Sequence, residues 1–134
     1  MSFGDDIRAF AAKTNLSMDL VVRKVTIDLS NSVIRLSPVD TGRFRGNWML
    51  GIGEPNTLVI DAVDKDGSKS VARIRRLSDL VYAGGVVYIT NSLPYARRLE
   101  YGWSQQAPSP PGIVRLTVQR YTEYIENAVR SLSK

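Results

Sequence analysis

Two amphipathic helix signals flank a stretch rich in strand and turn residues, and that order leaves few architectures open. Toward the N-terminal end Val22, Val25, Leu29, Val33 and Leu36 recur at helical spacing. Asn15 or Ser17 can cap this helix and Asp19 lies in its first turn. Pro38 ends it, because the residue before a proline is pushed out of the α region. Toward the C-terminal end a helix is predicted from about Gly112 to Leu132, with Val114, Val118, Tyr121, Ile125, Ala128 and Leu132 on its apolar face. Residues Phe3 to Ala12 can form a further short helix.

Between the two long helices, Trp48–Ile52 and Thr57–Ile60 read as strands around a Glu54-Pro55-Asn56 turn. Asp64-Lys65-Asp66-Gly67 is a second turn, and Ser68 to Val81 reads as a helix with Val71, Ile74, Leu77 and Val81 on one face. Val86–Thr90 is the clearest strand, and Tyr95–Tyr101 a turn of helix. Pro108, Pro110 and Pro111 make a stiff extended segment. The expectation is one α+β domain over residues 1–134, a small antiparallel β-sheet covered by two long amphipathic helices. With 134 residues, 43% of them hydrophobic, such a domain can bury a core of its own. No run approaches a membrane span, and the acids of MSFGDDIRAF stand where a secretory signal needs a basic flank.

The chain has no cysteine and no histidine. Thiol catalysis, disulfides, the usual zinc ligand sets and Ser-His-Asp triads are thereby excluded. Asp40-Thr41-Gly42 spells the tripeptide of aspartic proteases, which need two such aspartates sharing a proton, so this chain would have to dimerise. The surrounding Ser37-Pro38 and Arg43-Phe44-Arg45 favour a loop that Asp40 structures by hydrogen bonds and in which Gly42 takes a conformation closed to other residues. Asp64-x-Asp66-Gly67 lacks a calcium loop's first and twelfth ligands and reads as a hairpin turn. Gly51-Ile52-Gly53 lacks the third glycine of a phosphate loop.

The net charge of +5 is dominated by arginine, whose planar fork suits carboxylate or phosphate partners. Lys69, Arg73 and Arg76 fall on one helix face at i, i+4 and i+7 and are candidate DNA or partner contacts. Asn91 to Trp103 gathers three aromatics, two arginines and a glutamate into a segment rich in the residue types of interface hot spots.

Ser37-Pro38-Val39-Asp40-Thr41-Gly42-Arg43-Phe44-Arg45-Gly46-Asn47-Trp48 resembles the "P-V-D-T-G-R-L-R-x-S-W" segment that follows the long first helix of small tail-completion, or head–tail joining, proteins of long-tailed bacteriophages. Asn91 through Gly102 resembles that family's second signature, "N-x-x-P-Y-A-x-x-L-E-Y-G", which a proline-containing segment and a C-terminal helix follow. The order and spacing agree over most of the chain. Phe44 stands for the usual aliphatic, Asn47 for the common serine, and Glu54 to Tyr82 matches nothing in the pattern.

The resemblance implies a structural virion protein without cofactor or catalysis, made in the host cytoplasm and built into a hexameric ring at the neck. Its partners would be further copies of itself, the connector or stopper, the tail-terminator or tail-tube proteins, and DNA passing through the channel. A ring uses heterologous contacts. Arg43, Arg45 and Trp48 on one side, and Tyr95, Arg98, Glu100, Tyr101 and Trp103 on the other, are the expected interface residues. The alternatives are a general nucleic-acid-binding domain using the basic helix and, more distantly, the dimeric aspartic protease.

Overall fold

A computed structural model describes residue 5 and residues 17–39, 41–100 and 112–132. The expected Phe3–Ala12 helix, Asp40, Tyr101, Trp103 and the Pro108–Pro111 segment lie outside the described residues, Asp5 apart.

Helix α1 runs Met18–Leu36 and is the spine of the fold. Its C-terminal end closes on Ser37, whose backbone turns extended and whose hydroxyl donates to the Val33 carbonyl at 2.6 Å. At the other end Ser17 is the N-cap but makes no side-chain cap bond, Asn15 lies outside the described residues, and Asp19 stands in the first turn. The Asp19 carboxylate accepts the backbone N–H of Ala83 at 2.8 Å, and Arg23 reaches the Val81 carbonyl at 2.8 Å, so one helical turn holds a loop 58 or more residues away.

A 3₁₀ turn (Arg45–Asn47) leads into β1 (Trp48–Ile52), which pairs antiparallel with β2 (Val87–Asn91), Leu50 facing Ile89. Side chains alternate across a strand, so Trp48, Leu50 and Ile52 share one face with Val87, Ile89 and Asn91. A two-stranded ribbon is marginal alone. Here its inner face packs on Val33 and Ile34 of α1, on Ile74 of α2 (Ser68–Ser78), and on Val81, Leu93 and Ile113. Met49 points the other way and is still buried, on the face where residues 54–56 fold back against Gly51. Gly51 permits this: a Cβ there would stand 2.7 Å from the Asn56 nitrogen.

Thr57–Ile60, expected as a strand, joins no ladder. Its pairing groups are met by side chains: the Asn47 amide bonds Ile60 on both sides, and Asn56 Oδ1 accepts the Leu58 N–H. Asp64–Gly67 is a turn, but it opens helix α2 and not a hairpin.

After α3 (Ala96–Glu100), the expected single C-terminal helix is two, α4 (Ile113–Gln119) and α5 (Tyr121–Leu132), broken at Arg120, where φ is −103°. The break puts the two halves on different partners. Ile113 enters the core under the sheet, while Ile125, Ala128 and Val129 of α5 pack on Val21 and Val25 of α1. Val114 and Val118, expected on the buried face, are 43% and 56% exposed, and Ile113 and Thr117 are buried in their stead. The Thr117 hydroxyl meets that of Ser32 at 2.7 Å.

Candidate functional site

The two segments that carry the resemblance meet. Asn91 donates its side-chain amide to the Phe44 carbonyl at 2.8 Å, across 47 residues of chain. The Phe44 ring stands edge-on to Trp48, centroids 5.7 Å apart, and 6.1 Å from Tyr95. Trp48 Nε1 donates to the Ser37 hydroxyl at 2.8 Å, which ties this cluster to the end of α1. Gly42 begins the loop with φ +90°, and its carbonyl accepts the N–H groups of Gly46 and Asp64, each at 3.0 Å.

Several residues expected at an interface face inward. Trp48 is 4% exposed and belongs to the core, since its indole finds both an apolar pocket and a hydroxyl acceptor there. Arg45 is no external anchor: its guanidinium donates to the carbonyls of Ser37 (3.1 Å), Lys65 (2.8 Å) and Arg35 (3.0 Å), closing the end of α1 against two loops. Glu100 is turned to α4. Its carboxylate accepts the Val114 N–H at 2.6 Å and Arg115 Nε at 3.1 Å, meeting the free N–H groups and positive end of that helix. Tyr95 is half-buried against the core, Arg43 is half-buried, and Arg98 is exposed on α3. Of the expected interface, Arg98 alone among the described residues keeps an open position. Tyr101 and Trp103, with Asp40 of the loop, lie outside the described residues.

The basic trio is also divided. Arg73 turns inward, donating to the carbonyls of Gly46 (3.0 Å) and Trp48 (2.8 Å). Burial pulls its guanidinium below the ordinary arginine value, while the charge of Asp64 opposes that shift and the charge of Arg76 adds to it. Lys69 and Arg76 remain exposed, and Arg75 joins them on the open face of α2.

Helical spacing gave no warning of these structural roles. Asp64, 3% exposed, accepts the backbone N–H groups of Lys69 (3.3 Å) and Ser70 (2.8 Å) at the start of α2. Asp66 accepts the N–H and hydroxyl of Ser68, and these bonds hold its carboxyl below the usual range. An Asp-x-Asp-Gly run directly before a helical pattern is a signal for such capping. Nothing in the sequence pattern marked Asn47, which is fully buried.

Among the described residues, large exposed apolar side chains stand at Leu20 of α1, at Leu58 and Val59 of the folded-back segment and Val63 after it, at Leu80, Tyr82 and Val86 in the loop before β2, and at Val114 and Val118 of α4. Among the described residues no group of His, Cys, Asp or Glu is placed to hold a metal ion, and no helix is long and apolar enough to cross a membrane. Compared with known protein families, with characterised proteins and with solved structures, the chain matches none.

Proposed function

We propose that this chain is a structural subunit of the ring joining head and tail in a long-tailed bacteriophage. The observation that carries the reading is the junction of the two resembling segments through Asn91, Phe44 and Tyr95. Residues 47 apart in sequence, each belonging to one signature, form one packed unit at the end of α1, as parts of a single scaffold would. That unit supplies rigidity, and the subunit contacts fall to what it leaves outside. Leu58 and Val63 on one segment and Leu80, Tyr82 and Val86 on another are exposed, and in this reading each set forms an apolar patch. Two different patches suit the head-to-tail contact of a ring, in which one surface meets another on the neighbour. Arg98 adds a charged contact. In this reading the neck proteins of the virion are the partners, and neither catalysis nor cofactor is involved.

Sedimentation and negative-stain imaging of the purified chain test the reading. The expected result is a closed ring of identical subunits that Leu80→Ser or Val63→Ser disperses to folded monomers. A chain that stays monomeric at every concentration, and that binds to no isolated neck assembly, overturns it.

A further inference from the structure

We propose that a groove crossing α1, α2 and α5 and edged by basic side chains binds the phosphate backbone of duplex DNA. Three adjoining clefts make the groove. The first lies between α1 and α5, lined by Lys24, Asp28, Asn31, Arg35 and Asn127. The second shares Asn31 and Arg35 with it and continues past Asp66 and Val71 to Ala72 and Arg75 of α2. The third shares Ala72 and Arg75 and adds Lys69, Arg76 and Asp79. Lys69, Ala72 and Arg76 lie on one helix face, and the small Ala72 leaves a low floor between the cations.

The charges do not cancel along this path. Lys24 is paired with Asp28 at 3.0 Å, whereas Asp66 accepts bonds from Ser68 and keeps its negative charge. Arg35, Lys69, Arg75 and Arg76 have no carboxylate partner among the described residues, against two carboxylates without an ion-pair partner, Asp66 and Asp79, which leaves the groove an excess of positive charge. The chemistry favours nucleic acid over an acidic protein. The centre of a protein interface is apolar and aromatic, whereas here Tyr124 is the one aromatic lining the three clefts, and the exposed Leu58, Val63, Leu80, Tyr82 and Val86 line none of them. Cations interspersed with neutral donors, here Asn31, Asn127 and Ser131, are the usual contacts to phosphate oxygens. Contacts of this kind go to phosphate oxygens and carry no sequence information, so the proposed binding is indifferent to sequence. The inference stands on this face alone. A monomer that binds DNA would keep it and sink the ring, and a ring that ignores DNA would do the reverse.

The test is fluorescence anisotropy of the whole chain with a labelled duplex of about 20 base pairs. Four phosphate contacts predict that a fourfold rise in salt weakens binding about 150-fold. In the variant Lys69→Ser/Arg75→Ser/Arg76→Ser the same rise should cost only about 4-fold. The charge-matched variant Lys65→Ser/Arg97→Ser/Arg120→Ser should behave as the parent. Bound DNA should also shield Lys69, and not Lys65, from an amine-reactive ester, a readout that needs no variant. Equal losses in the two triple variants, absence of DNA binding, or displacement by polyglutamate as effective as by unlabelled duplex would each overturn the assignment.

Discussion

The side-chain amide of Asn47 meets the backbone of Ile60 as a neighbouring strand would, accepting its N–H at 2.8 Å and donating to its carbonyl at 3.1 Å. The same amide nitrogen donates to the Arg43 carbonyl at 2.8 Å. One buried residue thus substitutes for a β-ladder and pins the folded-back segment over the sheet. Asn47→Ala should cost about 3 kcal/mol, because it strands buried backbone groups as well as removing bonds. Chemical denaturation measures this. A loss under about 1 kcal/mol would mean that the segment is held by other contacts.

Trp48 separates a core role from an interface role. Trp48→Phe keeps most of the apolar volume and deletes the indole N–H that the Ser37 hydroxyl accepts. The expected loss is about 2 kcal/mol of monomer stability, part hydrogen bond and part cavity. Subunit association, measured per folded molecule, should not change. Weakened association with an unaltered melting temperature would return Trp48 to the interface.

Gly42 and Gly53 both have positive φ, +90° and +83°, but differ in surroundings. A Cβ on Gly42 would stand 2.7 Å from the Lys65 nitrogen and 2.8 Å from that of Asp64, whereas one on Gly53 meets nothing within 4 Å. Gly53→Ala should therefore cost about 1 kcal/mol from backbone strain alone. Gly42→Ala should cost at least about 2 kcal/mol, since strain and backbone collision add. Similar melting temperatures for the two variants would contradict the close approach of the loops.

Asp66 gives the start of α2 a dependence on pH. Its folded-state pKa is depressed by the N–H and hydroxyl of Ser68, so its contribution is present above the unfolded value and fades as pH falls through the folded one. The parent should lose melting temperature relative to Asp66→Asn as pH drops below about 4. At neutral pH the parent should be the more stable of the two. A constant difference between them across the acid range would show that the carboxylate does not feel the cap.

Much of the helical and strand content was legible because it depends on near neighbours. The spacing of Val25, Val33 and Leu36 marks α1, and Pro38 places its end within a residue or two of Leu36. Trp48–Ile52 was read with the bounds it has, and Val86–Thr90 within one residue of β2. The helix from Ser68 was right in its start and three residues long at its end. In each case the bonds that form the element connect residues close in sequence, or the side-chain period reports which face is covered.

What lay beyond the sequence pattern was set by partners far along the chain. Thr57–Ile60 has the composition of a strand, but Asn47 reaches its backbone first, 13 residues away, and no ladder forms. Arg73 shares a helical face with Lys69 and Arg76, yet the carbonyls of Gly46 and Trp48, 27 and 25 residues earlier, draw it inward. Arg45 and Glu100 read as interface charges until the end of α1 and the start of α4 are brought beside them. A charged side chain goes where unpaired backbone groups are most in need of it. Those groups are at helix ends and strand edges, whose positions in space the chain acquires only when it packs.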